Sequence, residues 1–252
     1  MKKILLPLLS GLALATTVCI ATAKNAPADK VPAYVKAAVA DPVRSGDTKD
    51  DARRHGAEIA AFTGVKPGDK VLEIAPGGGY FTRIFSKVIG DKGHVYAVVP
   101  EPMRKYADAT SKLPDTLKNV EVVFQPADAL AAPQPVDIVF TSQNYHDYPN
   151  KMMGPTDPAV LDKAAFAALK PGGVFIVIDH ATAPGVGMGA TETLHRIDPA
   201  TVKQQVEAAG FKFIGESTVL RNPADDHSLT VFDKSIRGHT DQFAYKFRKP
   251  MK

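Results

Sequence analysis

The sequence predicts an α/β protein built on one mostly parallel sheet with helices on both faces. Three observations carry that expectation. From about residue 50 onward, short apolar runs alternate with stretches of helical periodicity, the order that crossover connections between parallel strands require. Runs such as VDIVF at 136–140 and VFIVI at 174–178 are nearly all apolar, as strands covered on both faces are. The last two strand-like runs have no long helical stretch between them, so that pair is expected to be antiparallel.

Each element follows in order. Asp51–Phe62 reads as a helix closed by Gly64. Lys70–Ile74 (KVLEI) is a strand, and Ala75–Gly79 (APGGG) is a loop. Phe81, Ile84, Phe85, Val88 and Ile89 then fall at i, i+3, i+4, i+7 and i+8, one apolar helical face stopped by Gly90. His94–Val99 is the second strand and Pro102–Leu113 the next helix. Val120–Phe124 and Val136–Phe140 are strands three and four. Pro158–Leu169 is a helix, Lys170-Pro171-Gly172-Gly173 a turn, and Val174–Asp179 the fifth strand. Asp198 caps a helix with Pro199 at its first position, and Gly210 ends it. Phe211–Ser217 and Gln242–Phe247 complete seven strands in one domain, residues 51–252, with no internal repeat.

Ahead of the domain lie two other segments. Met1–Lys3 is basic, Ile4–Ile20 is predominantly apolar, and Ala21-Thr22-Ala23 sets small residues at −3 and −1 before polar Lys24. Residues 1–23 therefore read as a secretory signal peptide. Export to the periplasm or cell envelope, as a secreted chain, is the expectation. The apolar run is shorter than the roughly 20 residues of a spanning helix, so no stable membrane insertion is expected after cleavage. Residues 24–50 are polar, contain Pro27, Pro32 and Pro42, and read as a linker or an arm packed on the domain.

With 44% apolar and 23% charged residues, the 252-residue chain has the composition of an ordinary globular protein. Its formal charge of +4 falls to +2 once Lys2 and Lys3 are removed, too balanced for a nucleic-acid partner. The one cysteine, Cys19, lies in the leader. A mature chain without thiols excludes disulfides, cysteine nucleophiles and Cys-ligated zinc.

In an open parallel sheet, ligands bind beyond the carboxyl ends of the strands, where strand order reverses. The first strand ends there in Glu73-Ile74-Ala75-Pro76-Gly77-Gly78-Gly79. Glycines permit positive φ and close backbone approach, and the helix that follows offers free N–H groups and a positive dipole end. These residues resemble the first motif of the class I S-adenosylmethionine-dependent methyltransferases, (D/E)-x-G-x-G-x-G, with Glu73, Ala75, Gly77 and Gly79 in the motif positions and alanine in place of one glycine. Further likenesses are Asp128 in Pro126-Ala127-Asp128-Ala129, Leu169-Lys170-Pro171-Gly172-Gly173 before strand five, and Glu207-Ala208-Ala209-Gly210-Phe211. They span about Ala52 to Phe247. The Asp-Asp-Ala-Arg-Arg helix, the Pro-Gly-Gly-Gly-Tyr loop and the Asn-Tyr-His-Asp segment most resemble predicted exported bacterial members.

The resemblance implies a Rossmann-like fold and S-adenosylmethionine as cofactor. It places Glu73, Ala75, Pro76, Gly77, Gly78, Gly79, Asp128 and Ala129 against it. One departure concerns the ribose. The family usually ends its second strand with Asp or Glu, but Val99 stands here, and Glu101 two residues later is the candidate substitute.

A polar cluster is expected on the same rim. Asn144, His146 and Asp147 follow strand four, Asp179-His180 ends strand five, and His195-Arg196 precedes the last long helix. His146 is the candidate general base with Asp147 as its orienter, and Asn144 is placed to hold cofactor or substrate. His180 is a lesser candidate. Asp147, Asp179, His180 and His195 are ligand types, but their spacing matches no metal motif, so the expectation is that no metal is bound. Arg53-Arg54-His55 reads as a solvated helix face with rim contacts. The function expected is methyl transfer to an unidentified small-molecule or envelope substrate. The alternative is an exported, non-catalytic protein that keeps the fold and binds another ligand or partner. The oligomeric state is not legible.

Overall fold

The computed structural model describes residues 31–251. The signal-peptide reading of residues 1–23 falls outside the described residues. Seven strands form one sheet in the order β3-β2-β1-β4-β5-β7-β6. They are β1 (Lys70–Ile74), β2 (His94–Pro100), β3 (Val120–Gln125), β4 (Val136–Ser142), β5 (Leu169–His180), β6 (Lys212–Ser217) and β7 (Gln242–Arg248). β1 to β5 pair in parallel, and β7 runs antiparallel between β5 and β6. This is the Rossmann-like arrangement expected. The order reverses between β1 and β4, and Ile74 sits beside Thr141 there.

Successive residues of the central strands point to opposite faces, and each face has its own core. On one, Val71, Val95, Ile138, Phe140 and Ile176 pack with Ile59, Phe81, Ile84 and Phe85. These belong to α3 (Gly56–Thr63) and α4 (Tyr80–Ile89), joined there by Val35 and Ala38 of α1 (Ala33–Val39). On the other, Leu72, Val98, Val139, Phe175 and Val177 pack with Leu161 and Ala165 of α7 (Pro158–Ala168) and Val202 and Val206 of α9 (Pro199–Ala208). The α4 stripe is buried as its spacing requires, with Ile84 and Phe85 fully covered. Burying a side chain of that size stabilises by about 1.5–3 kcal/mol. Among the described residues, no helix is long and apolar enough to cross a membrane.

Four expectations need correction or sharpening. First, the stretch 31–50 is integral to the fold. α1 buries Val35, Arg44 is fully buried, and its guanidinium bonds Asp51 at 2.6 Å and the Val39 carbonyl. Second, the helix expected over Asp51–Phe62 is two, α2 (Thr48–Arg54) and α3. His55 breaks it with left-handed dihedrals (φ 47°, ψ 47°), and a side chain at Gly56 would strike the Tyr80 hydroxyl.

Third, Pro102–Leu113 is not one helix. A 3-10 segment, Glu101–Tyr106, leads into the short α5 (Asp108–Ser111) and α6 (Leu113–Thr116). Contacts from outside the segment direct this path: Thr110 donates to the Gly77 carbonyl, Leu113 packs against Gly79, and Arg104 lies 3.8 Å over the Phe124 ring. Fourth, the expected turn at 170–173 is the irregular start of β5. Leu169 already pairs with Val136, and the register then shifts before Ile138 meets Val174. α8 (Thr191–Leu194) is a single turn ahead of His195.

Candidate active site

The loop between β1 and α4 is built by three left-handed residues, Ala75 (φ 51°), Gly77 (φ 58°) and Gly79 (φ 81°). Ala75 takes a left-handed conformation that glycine adopts freely, although a Cβ there costs roughly 1–2 kcal/mol. Gly77 and Gly78 are exposed, and a Cβ on either would meet nothing. Backbone is therefore open to a ligand. The carbonyl of Gly78 accepts from Arg83, which also bonds both oxygens of Asp47. The arm thereby helps to hold the loop.

Glu73 lies beneath this loop, nearly fully buried, and accepts a 2.6 Å hydrogen bond from Thr82. Burial pushes its carboxyl up to about 7, against the opposing Thr82 bond and the nearby Arg54 and Arg83 charges. Arg54 stacks over Tyr80 and Phe81 at 4.6 and 5.0 Å. The Arg53-Arg54 face is thus partly engaged with the start of α4.

At the end of β2 the structure supplies no buried acid. Val99 is buried, and Glu101 is on the surface with both oxygens bonded to Arg104 at 2.6 and 2.7 Å. A small cavity of about 30 Å³ lies between the loop and this segment, lined by Ala75, Pro76, Gly77, Val99, Met103 and Tyr106 among others. Asp128 and Ala129 are both exposed beyond β3. The glycine loop fits a nucleoside-bearing cofactor by its open backbone. The β2 end fits only with movement of the 101–111 segment and release of Glu101 from Arg104.

The segment after β4 is brought against that loop. Gln143 turns with φ 62°, and Asn144 donates from Nδ2 to the carbonyls of Ala75 (3.1 Å) and Ser142 (2.5 Å). Asn144 thus fastens the rim to the first residue of the loop. His146 and Asp147 follow in a 3-10 turn, both buried. The partner of His146 Nδ1 is Asp179, at 2.7 Å, and not Asp147. Asp179 is fully buried at the end of β5 and also accepts from the backbone N–H of His146 at 2.8 Å. Asp147 lies on the other side of the ring, with Oδ1 3.3 Å from Nε2, and His195 Nδ1 stands 3.3 Å from the same Nε2. Burial alone would lower the His146 pKa. The Asp179 and Asp147 carboxylates outweigh it and raise it to about 10. Both nitrogens are engaged, so the ring is not a free base in this arrangement.

His180 is separate. Its Nδ1 meets Thr240 Oγ1 at 2.7 Å, and burial lowers its pKa to about 4. Residue spacing could not show that Asp179 orients His146. The adjacency of β4 and β5 in the resembled fold was the signal available. His195 was noted in the sequence, but its approach depends on a left-handed turn at a non-glycine residue (φ 55°).

A larger cavity, of about 550 Å³, opens on the same rim between α2, the 219–222 segment and the start of β7. It is lined in part by Lys49, Arg53, His55, Arg221 and His239. Its basic lining suits an anionic guest.

Comparison with known proteins agrees with this geometry. The family model for protein-L-isoaspartate(D-aspartate) O-methyltransferase (PCMT) matches residues 27–158, just over half of the chain. The ubiquinone/menaquinone biosynthesis C-methyltransferase UbiE of Shewanella frigidimarina is 31% identical over 199 residues, covering 77% of this chain and 68% of the relative. A methyltransferase of Aquifex aeolicus has the same fold, with a TM-score of 0.56 at 21% identity over 85% of this chain and 96% of its own. Aeropyrum pernix fibrillarin, solved with natively bound S-adenosyl-L-methionine, gives a TM-score of 0.52 at 15% identity over 79% of this chain and 76% of its own. The chain belongs to the class I S-adenosylmethionine-dependent methyltransferases. It is an enzyme of that class, and S-adenosylmethionine is its cofactor.

Proposed function

We propose that this enzyme methylates a small-molecule or envelope acceptor outside the cytoplasm, with the acceptor bound on the rim formed by β4, β5 and β7. The observation that carries the reading is the Asn144–Ala75 hydrogen bond, which seats the polar rim directly on the glycine loop. When bound, S-adenosylmethionine supplies an electrophilic methyl group on a sulfonium. Ala75 to Gly79 would hold it through backbone groups, with Asp128 beyond β3 and a released Glu101, two residues past the usual ribose position, as the acids that would contact its nucleoside. Asn144 fixes the distance between loop and rim. The neighbouring basic cavity supports an acceptor with negative charge. For an acceptor that is already nucleophilic, alignment supplies most of the acceleration. The N-terminal segment Met1–Ala23 supports the extracytoplasmic location.

The test is transfer of labelled methyl from S-adenosylmethionine into fractionated envelope and small-molecule extracts. Label entering an acidic fraction with the native chain, and not with Gly77→Val, is the expected result. No transfer into any fraction by a chain that binds the cofactor would overturn the acceptor reading. Intact mass of the enzyme isolated from its cells tests export: a chain beginning near Lys24 is expected, and a cytoplasmic chain that keeps Met1–Ala23 would contradict it.

A further inference from the structure

We propose that His146 Nε2, His195 Nδ1 and Asp147 Oδ1 form a binding site for a divalent cation of the zinc type. The three atoms converge on one point. Nε2 of His146 lies 3.3 Å from Asp147 Oδ1 and 3.3 Å from His195 Nδ1, and the third side of the triangle is 3.6 Å. Zinc bonds of about 2.0–2.1 Å place neighbouring ligand atoms of a tetrahedron about 3.3–3.4 Å apart, whereas octahedral neighbours at that bond length stand about 2.8–3.0 Å apart. The observed triangle has the tetrahedral size. A point about 2.0 Å from all three atoms lies just off their plane, so the ligands need not be spread to admit the ion.

The surroundings are those of a metal ligand set. A metal-binding histidine usually donates its second ring N–H to a carboxylate, which fixes the ring, and the ion takes the place of the proton on the other nitrogen, released on binding. Asp179, fully buried, meets His146 Nδ1 at 2.7 Å and takes that role. His195 is placed by its neighbour: Arg196 is fully buried, bonds Asp225 at 2.8 and 3.1 Å, and donates to the carbonyls of Ala181 and Leu229. Two of the three ligands are buried, and the His195 side chain is 28% exposed. The fourth position would thus face the rim and be reachable by a small ligand, the open geometry of a catalytic rather than a structural zinc site. Two imidazoles and one carboxylate are ligands that zinc accepts.

The site stands without the acceptor assignment, but its use rests on it. The ion would lie at the carboxyl ends of β4 and β5, where it could bind an oxygen of the acceptor and favour its deprotonated, nucleophilic form.

The experiment uses the untagged chain, stripped of metal by chelator and titrated with Co²⁺ as the probe in the absence of S-adenosylmethionine. The expected result is one equivalent bound, with the intense visible band of a four-coordinate site, displaced stoichiometrically by Zn²⁺. His195→Ala, at the partly exposed ligand, should abolish the band while the thermal unfolding of the metal-free protein stays close to native. Asp179→Asn should weaken affinity by roughly 10–100-fold, the usual effect of losing a carboxylate behind a metal-bound histidine. Absence of a band above that of aqueous Co²⁺, or the same band and stoichiometry in folded His195→Ala, overturns the site. Because no methyl donor is present, failure here leaves the transfer reaction to be judged by its own assay.

Discussion

The guanidinium of Arg83 makes two hydrogen bonds to the carboxylate of Asp47, each 2.6 Å long. A third, at 2.9 Å, reaches the Gly78 carbonyl. The segment ahead of the sheet thereby braces the glycine loop, the proposed cofactor site. Asp47→Ala should lower unfolding free energy by about 2 kcal/mol, the scale of a charge-assisted pair of bonds that is mostly shielded from water. It should also weaken S-adenosylmethionine binding, as read by denaturant titration and calorimetry. Native affinity in a destabilised Asp47→Ala chain would separate the arm from the loop.

Glu73 predicts a pH dependence. Burial raises its folded pKa to about 7 from 4.5, so the folded chain holds a proton that the unfolded chain releases. The stability this adds is fully present below about pH 4.5 and is lost as the pH rises through about 7. The size is about 3 kcal/mol. Glu73→Gln should flatten the stability profile between those values, measured by urea unfolding across the pH range. An unchanged slope would mean that another group sets it.

Much of the fold was legible because its signals are local. The runs at 136–140 and 174–178 are nearly all apolar, and the stripe from Phe81 to Ile89 has the spacing of one helical face. Segments directed by distant contacts were not. Thr110 and Leu113 break the expected 102–113 helix by anchoring to Gly77 and Gly79, and Tyr80 shapes the break at His55. The site divides in the same way. The loop is contiguous in sequence and was found from it. The Asp179–His146 bond joins residues 33 apart, and His195 comes from beyond β5, so neither pairing has a spacing signature.

Both carboxylate oxygens of Glu101 are held by the Arg104 guanidinium. If Glu101 turns to the ribose on binding, Glu101→Ala should weaken affinity by roughly tenfold, the loss of one charge-assisted contact. Arg104→Ala should tighten it by freeing the acid. Calorimetry of the two variants checks both directions, and equal affinities would remove Glu101 from the cofactor site.

Arg196 and Asp225 form a fully buried ion pair. Removing one partner strands the other charge, so Asp225→Ala should cost about 3–5 kcal/mol. The carbonyls of Ala181 and Leu229 would lose a well-held donor, and the 222–241 segment should gain hydrogen-exchange rate before the central strands do. Exchange measured by mass spectrometry checks this. Uniform loss across the sheet would show that the pair holds the whole fold rather than this segment.

The central claim is that the loop from Ala75 to Gly79 binds S-adenosylmethionine. Gly77 has φ 58° and open space at its Cβ. A valine there fits sterically into the fold, strains the backbone and stands where the ligand must approach. Calorimetry of the chain from Lys24 onward, with S-adenosylmethionine and its demethylated product, is the most direct measurement. One saturable site for both, lost in a folded Gly77→Val chain, is the predicted result; no heat with either ligand, or equal binding by native and Gly77→Val chains, would contradict it.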